Sequence, residues 1–131
     1  MLEKQTSVCL SIRNKREEQS ETVVSKAKSY IRENFDKDIS LDDVSREVNV
    51  SPYYFSKLFK EEAGKNFIEY LTQIRIEHAR TLLEKETLSI KEISIMAGYS
   101  DPNYFSRIFR KQMNMSPREY REQSGNKGIR G

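Results

Sequence analysis

The chain carries one helical passage twice, and that duplication restricts its fold more than any other feature. Residues 39–51 (ISLDDVSREVNVS) align with 88–100 (LSIKEISIMAGYS) at an offset of 49. After one inserted residue, Asp101, residues 52–60 (PYYFSKLFK) align with 102–110 (PNYFSRIFR) at an offset of 50, and Tyr70 falls over Tyr120. Counting Glu69/Glu119 beside Tyr70/Tyr120, ten pairs are identical, among them Ser40/Ser89, Ser45/Ser94, Tyr54/Tyr104, Phe55/Phe105 and Phe59/Phe109, while Lys57/Arg107 and Lys60/Arg110 keep the positive charge. Stacked repeats need three or more units to close a core, so two copies describe a duplicated module and not a solenoid.

The punctuation inside each copy is helical. Val23, Val24, Ala27, Tyr30, Ile31 and Phe35 recur at helical spacing and predict a first amphipathic helix from about Glu21 to Phe35. Ser40-x-x-Asp43 reads as a capping box for a short helix over 41–48. Ser51 caps a third helix with Pro52 at its first position, where the missing N–H costs nothing, and Gly64 supplies its left-handed stop. Asn66-x-x-Glu69 opens a long fourth helix over 67–86, Ser89-x-x-Glu92 a fifth, Asp101 with Pro102 a sixth over 102–113, and Ser116-Pro117-x-Glu119 a seventh. Asn114 stands where Gly64 stands in the first copy, Asn being the next-best residue for a left-handed backbone. Five Gly and three Pro are about 6% of the chain against roughly 12% in average usage, too few turn residues for a sandwich or barrel. The expected organisation is residues 1–20 as a linker or added segment without stable structure, and 21–65 as a first helix-turn-helix subdomain. A connecting helix over 66–87, a second subdomain over 88–123 and a disordered tail over 124–131 complete it.

Rotated at 3.6 residues per turn, the third helix places Tyr54, Phe55, Leu58 and Phe59 on one face and Tyr53, Ser56, Lys57 and Lys60 on the other. The sixth repeats this, with Phe105, Ile108 and Phe109 inward and Asn103, Ser106, Arg107 and Arg110 outward. Those eight outward positions hold four cations and no acid, although the whole chain has 23 Lys+Arg against 20 Asp+Glu and a net charge of only +3. Such a face suits a DNA major groove, where Arg or Lys bonds guanine O6/N7 and Asn pairs with adenine N6/N7. One such helix alone reads equally well as a solvated surface; its repetition inside a helix-turn-helix pattern favours DNA. Ser40, Ser51, Ser89 and Lys111 are the candidate phosphate contacts, the serines through helix N-termini, and Asp101 is read as a cap only. A connecting helix of about 20 residues spans ~30 Å, near the ~34 Å between successive major-groove faces, which suits adjacent groove segments with some DNA bending.

Other chemistry has little support in the sequence. One cysteine, Cys9, permits no internal disulfide, and with His78 alone to help it builds no zinc site of the usual kind. His78 is expected to pack or be solvated, Tyr54 and Tyr104 to be core residues with a polar tip, and Arg75 to pair with a carboxylate between the subdomains. There is no nucleophile–base pair, phosphate loop or carboxylate cluster, so no enzyme, cofactor or metal is expected. No apolar run approaches a membrane span and the N-terminus has no signal-peptide core, which predicts a cytoplasmic protein.

The run from SPYYFSKLFKEEAGKNFIEY through GYSDPNYFSRIFRK to MSPREYR resembles the AraC/XylS-type DNA-binding domain of bacterial transcription regulators, over about residues 22–122. The resemblance implies an all-α, homeodomain-like fold of seven helices. It implies recognition helices at 52–63 and 102–113, and base-edge contacts at Tyr53, Ser56 and Lys57 and at Asn103, Ser106 and Arg107. Ser45 and Ser94 depart from the usual alanine, and Asn49 and Asn114 from the usual glycine. Such domains usually end larger regulators, and the wording of this copy is most similar to response regulators of two-component systems. That implies a sensor or receiver domain on the N-terminal side and a domain that is monomeric by itself. The expected function is sequence-specific double-stranded DNA binding at promoter operators for transcriptional regulation. The competing reading is a helical protein-interaction module whose Tyr53, Lys57 and Arg107 faces meet the transcription machinery, for example RNA polymerase.

Overall fold

The structure, a computed structural model, describes residues 23–125. The expectations for residues 1–20, for Cys9, for a helix start at Glu21 and for the last six residues lie outside the described residues. The described residues form seven helices: α1, described over residues 23–34, α2 Leu41–Glu47, α3 Pro52–Ala63, α4 Phe67–Lys85, α5 Ile90–Met96, α6 Pro102–Met113 and α7 Pro117–Ser124. The described residues contain no strand. None of these helices is long and apolar enough to cross a membrane.

Local chemistry sets the helix ends. Ser40, Ser89 and Ser116 each accept the N–H of the third helical residue on Oγ, at 3.1 Å in all three. The carboxylates of Asp43, Glu92 and Glu119 accept the serine N–H in return, at 2.9, 3.0 and 2.8 Å. Two otherwise orphaned donors are thereby satisfied at each start. Ser51 Oγ accepts from Tyr54 N at 3.2 Å, and Asp101 Oδ1 from Asn103 N at 2.9 Å. The left-handed stops are Gly64 at φ 81°, Asn114 at φ 62° and Gly125 at φ 88°. Gly125 closes α7 after Ser124, one residue past the helix end expected at Gln123.

By contacts the described residues form two units, residues 23–31 with Ser40–Asn66, and Arg32–Ile39 with residues 67–125. In the first, α2 packs on α3, and Val24, Ala27, Ile31, Val44, Val48, Phe55 and Phe59 are buried. In the second, α4 packs on α5 and α7, α5 on α6, and α6 on α7. Its core joins Ile76, Ala79 and Leu83 of α4 to Ile93, Ala97, Tyr99, Phe105 and Phe109. Val24, Ala27 and Ile31 match Ile76, Ala79 and Leu83 at an offset of 52, so the duplication extends back through α1. The loop before the capping serine is three residues longer in the first copy, which hides this match in a linear alignment.

Arg75 takes a different partner from the one its charge suggests. Its Nε donates to the Phe35 carbonyl at 2.8 Å and its Nη2 to the Lys37 carbonyl at 2.9 Å, in place of the expected carboxylate. Both carbonyls lie in the turn that follows α1, past the last helical donors; the guanidinium supplies donors there, and Lys37 O also accepts from Ile39 N at 3.0 Å. Phe35 also meets His78 edge to face at 4.9 Å, the packing role expected of that histidine. Gly98, at φ 101°, lies against the same point: a Cβ there would stand 2.5 Å from the Phe35 oxygen and 2.8 Å from Arg75 Nε. Asn49 occupies the matching turn of the first copy at φ 61°, within the range asparagine tolerates. At Arg121, where the first copy has Leu71, a guanidinium only 5% exposed donates Nη2 to the carbonyls of Leu88 and Glu86.

Two outcomes follow from this architecture. Gly98→Ala should cost roughly 2–4 kcal/mol, adding a backbone clash to left-handed strain, whereas Gly64→Ala meets open space and should cost about 1–2 kcal/mol. Urea unfolding of both variants measures this, and equal losses would refute the close approach at Gly98. The capping carboxylates supply the second outcome. Hydrogen bonds from the Ser89 and Ser116 main chain, then from their hydroxyls, hold Glu92 and Glu119 below the usual 4.5. A folded value below the unfolded one stabilises fully above about pH 4.5 and is lost as the pH falls through the folded value. Melting temperatures of Glu92→Gln and Glu119→Gln should therefore fall less steeply than wild type between about pH 5 and pH 3, and parallel curves would exclude these groups as the titrating ones.

Candidate nucleic-acid interface

On α3, burial of Phe55 and Phe59, whose rings lie 5.4 Å apart, turns the opposite face outward. Tyr53 is 80% exposed there, and Ser56, Lys57 and Lys60 are exposed with it. On α6, Phe105 and Phe109 are buried 5.7 Å apart, and Asn103, Arg107 and Arg110 are exposed, with Ser106 half-buried. Each helix therefore presents its own group of four polar or cationic side chains as the alternation of residue types predicts.

Two aromatic residues stand elsewhere than expected. Tyr54 is 51% and Tyr104 46% exposed, so neither is a core residue. Both sit at the border of the apolar face, where the phenylalanine pair of each helix already fills the interior. Tyr104 meets the buried Tyr99 edge to face at 5.9 Å, and Arg107 Cζ lies 5.7 Å from the centre of the Tyr104 ring. An aromatic and an arginine three apart on a helix surface are neighbours, and that spacing is the sequence signal for the contact.

The cations differ in what already holds them. Arg110 Nη2 lies 3.6 Å from Glu119 Oε1, both side chains more than half exposed. Such a surface pair is worth little in water, and a phosphate can replace the carboxylate. The four phosphate candidates separate as well. Ser40 and Ser89 are engaged in capping boxes that set a carboxylate, Asp43 or Glu92, at the helix start, which opposes a second anion. Ser51 caps α3 with no acid in the first turn, and Lys111 is exposed near the α6 end.

The buried serines have local tasks. Ser45 Oγ donates to the Asp42 carbonyl, and Ser94 Oγ to the Tyr99 carbonyl, each at 3.1 Å. Tyr99 N returns a bond to Ser94 O at 3.0 Å, so the turn before α6 is tied to α5 from both sides.

A family model described as a helix-turn-helix domain matches residues 44–123. The C-terminal domain of AraT, a response regulator from Geobacillus stearothermophilus, is 42% identical, with a TM-score of 0.75 over 77% of this chain and 84% of that one. A transcriptional regulator of Chromobacterium violaceum, described by its AraC-type DNA-binding domain, is 32% identical with a TM-score of 0.75 over 84% of this chain and 98% of that one. The HTH-type transcriptional regulator YijO of Escherichia coli is 38% identical over 104 residues, 79% of this chain and 37% of YijO. The chain thus spans about a third of the length of the curated relatives it matches. Matched across both helix pairs in sequence and in fold, it belongs to the helix-turn-helix family of AraC/XylS type.

Proposed function

We propose that the chain binds double-stranded DNA sequence-specifically to regulate transcription, with α3 and α6 as recognition helices. The observation that carries this reading is the outward face of each helix, two cations and no acid among its four positions, set opposite a buried phenylalanine pair. Arg107, Asn103 and Ser106 on α6, and Tyr53, Ser56 and Lys57 on α3, are assigned to base edges. Lys60, Arg110, Lys111 and the Ser51 helix start are assigned to phosphates, which fix register and carry no sequence information. Ser40 and Ser89 rank below them, because their capping carboxylates resist an anion.

The reading extends to the whole protein. Two similar structures are C-terminal domains of response regulators, which supports a separate sensor or receiver domain in the full regulator. We assign the domain itself as a non-catalytic, cytoplasmic monomer. Exposed Ile95 and Met96 on α5 offer an apolar patch for a protein partner, for which we propose RNA polymerase. Ile95→Lys should then leave DNA affinity intact and lower activation in a reconstituted transcription assay.

Electrophoretic titration on duplex DNA at several salt concentrations tests the main reading: affinity should fall steeply with salt, and a flat response would overturn it. Arg107→Ala should cost about 1–3 kcal/mol and relax preference at one base position. Lys60→Ala should weaken all sequences alike and reduce the salt slope by about 1. Equal losses on every sequence for both variants would overturn the division into base-reading and phosphate-holding residues.

A further inference from the structure

We propose that Tyr104 is a specificity-determining positioning residue: held by Tyr99, it orients the Arg107 guanidinium for a two-bond contact to a guanine edge, so that α6 discriminates between bases more strictly than α3. The proposal rests on the DNA-binding reading of α6.

Four side chains of the second unit stand in line. Arg75, fixed by the carbonyls of Phe35 and Lys37, lies with its Cζ 5.1 Å from the Tyr99 ring centre. Tyr99 is buried, touches Phe105 at 5.6 Å and meets Tyr104 edge to face at 5.9 Å. Tyr104 carries Arg107 at 5.7 Å. Ser94 locks the Tyr99 backbone by a bond in each direction. The outermost member of this line is exposed, whereas its base is half-buried and bonded, and Tyr99 above it is buried.

A cation over an aromatic face needs none of its N–H donors for that contact, so the planar fork of Arg107 stays available for two acceptors. A long arginine otherwise loses rotamer freedom when it binds, and a ring that restricts it beforehand reduces that loss. The benefit applies only where a fixed pair of acceptors is read, as on guanine O6 and N7. On a phosphate, which accepts from many directions, it brings little.

The first copy lacks the device. Val50 stands where Tyr99 stands, and Lys57 where Arg107 stands, so Tyr54 has no ring behind it and a flexible point charge beside it. A lysine ammonium donates to acceptors in many geometries, which makes α3 the more tolerant reader.

Selection from a random duplex pool by wild type and by Tyr104→Phe, Tyr104→Leu, Tyr104→Gln and Arg107→Ala tests the proposal. Tyr104→Phe keeps the ring and should keep the preference. Tyr104→Leu should weaken discrimination about two- to five-fold, and only at the base pair that Arg107→Ala relaxes. The double variant should be no worse there than Arg107→Ala alone, and random duplex affinity should be unchanged. Tyr104→Gln should reproduce the loss if the leucine variant proves unstable. Equal weakening on all sequences, or additive loss in the double variant, overturns the proposal. A second readout needs no DNA: the NMR order parameter of Arg107 Nε should fall in Tyr104→Leu and hold in Tyr104→Phe. An unchanged value overturns the positioning role, whereas a lowered value with no base preference in wild type overturns the DNA reading of α6.

Discussion

An arginine that donates to two main-chain carbonyls while lying over a tyrosine ring fixes three segments of the second unit at one point. Arg75 on α4 collects the turn after α1 through Phe35 and Lys37, and the turn before α6 through Tyr99. Gly98 makes room for this meeting, because any side chain there would enter the space of the Phe35 oxygen and the guanidinium. The direction in which α6 leaves its turn depends on that junction, and the outward face of α6 depends on that direction. Interior packing of Phe105 and Phe109 then completes what the turn begins.

The two copies share a plan and differ in how firmly it is secured. Both set a capping serine before a short helix, a buried serine within it, and a buried phenylalanine pair in the next helix. The second copy adds Tyr99, Gly98 and Arg121 where the first has Val50, Asn49 and Leu71. Each replacement exchanges a residue that needs little from its neighbours for one with specific partners. An asparagine tolerates its turn, whereas the glycine is required by a close approach.

The elements were readable in the sequence because their causes are local. A serine and a carboxylate three apart, a proline after a cap and a glycine or asparagine at a left-handed stop act within a few residues. The helix faces followed from the same short periods. What escaped depends on groups far apart in the chain. The carbonyls that Arg75 meets lie some forty residues away, and nothing in a linear reading distinguishes them from a carboxylate. Tyr54 and Tyr104 sit at the edge of a helical wheel, where only the packed structure decides between core and surface. The match between α1 and α4 is interrupted by a loop-length difference, and Arg121 breaks the residue pattern that would have aligned it with Leu71.

The carbonyl partners of Arg75 and Arg121 also bear on the field around the molecule. A guanidinium bound to a carboxylate forms a neutral pair, but one bound to peptide oxygens keeps its full positive charge. The chain's net charge of +3 is the same whichever oxygen each arginine meets, so the partners set where the positive charge stands and not its sum. Joints of this kind also need no ionised carboxylate, so the second unit's two arginine junctions do not loosen as acid protonates its carboxyl groups.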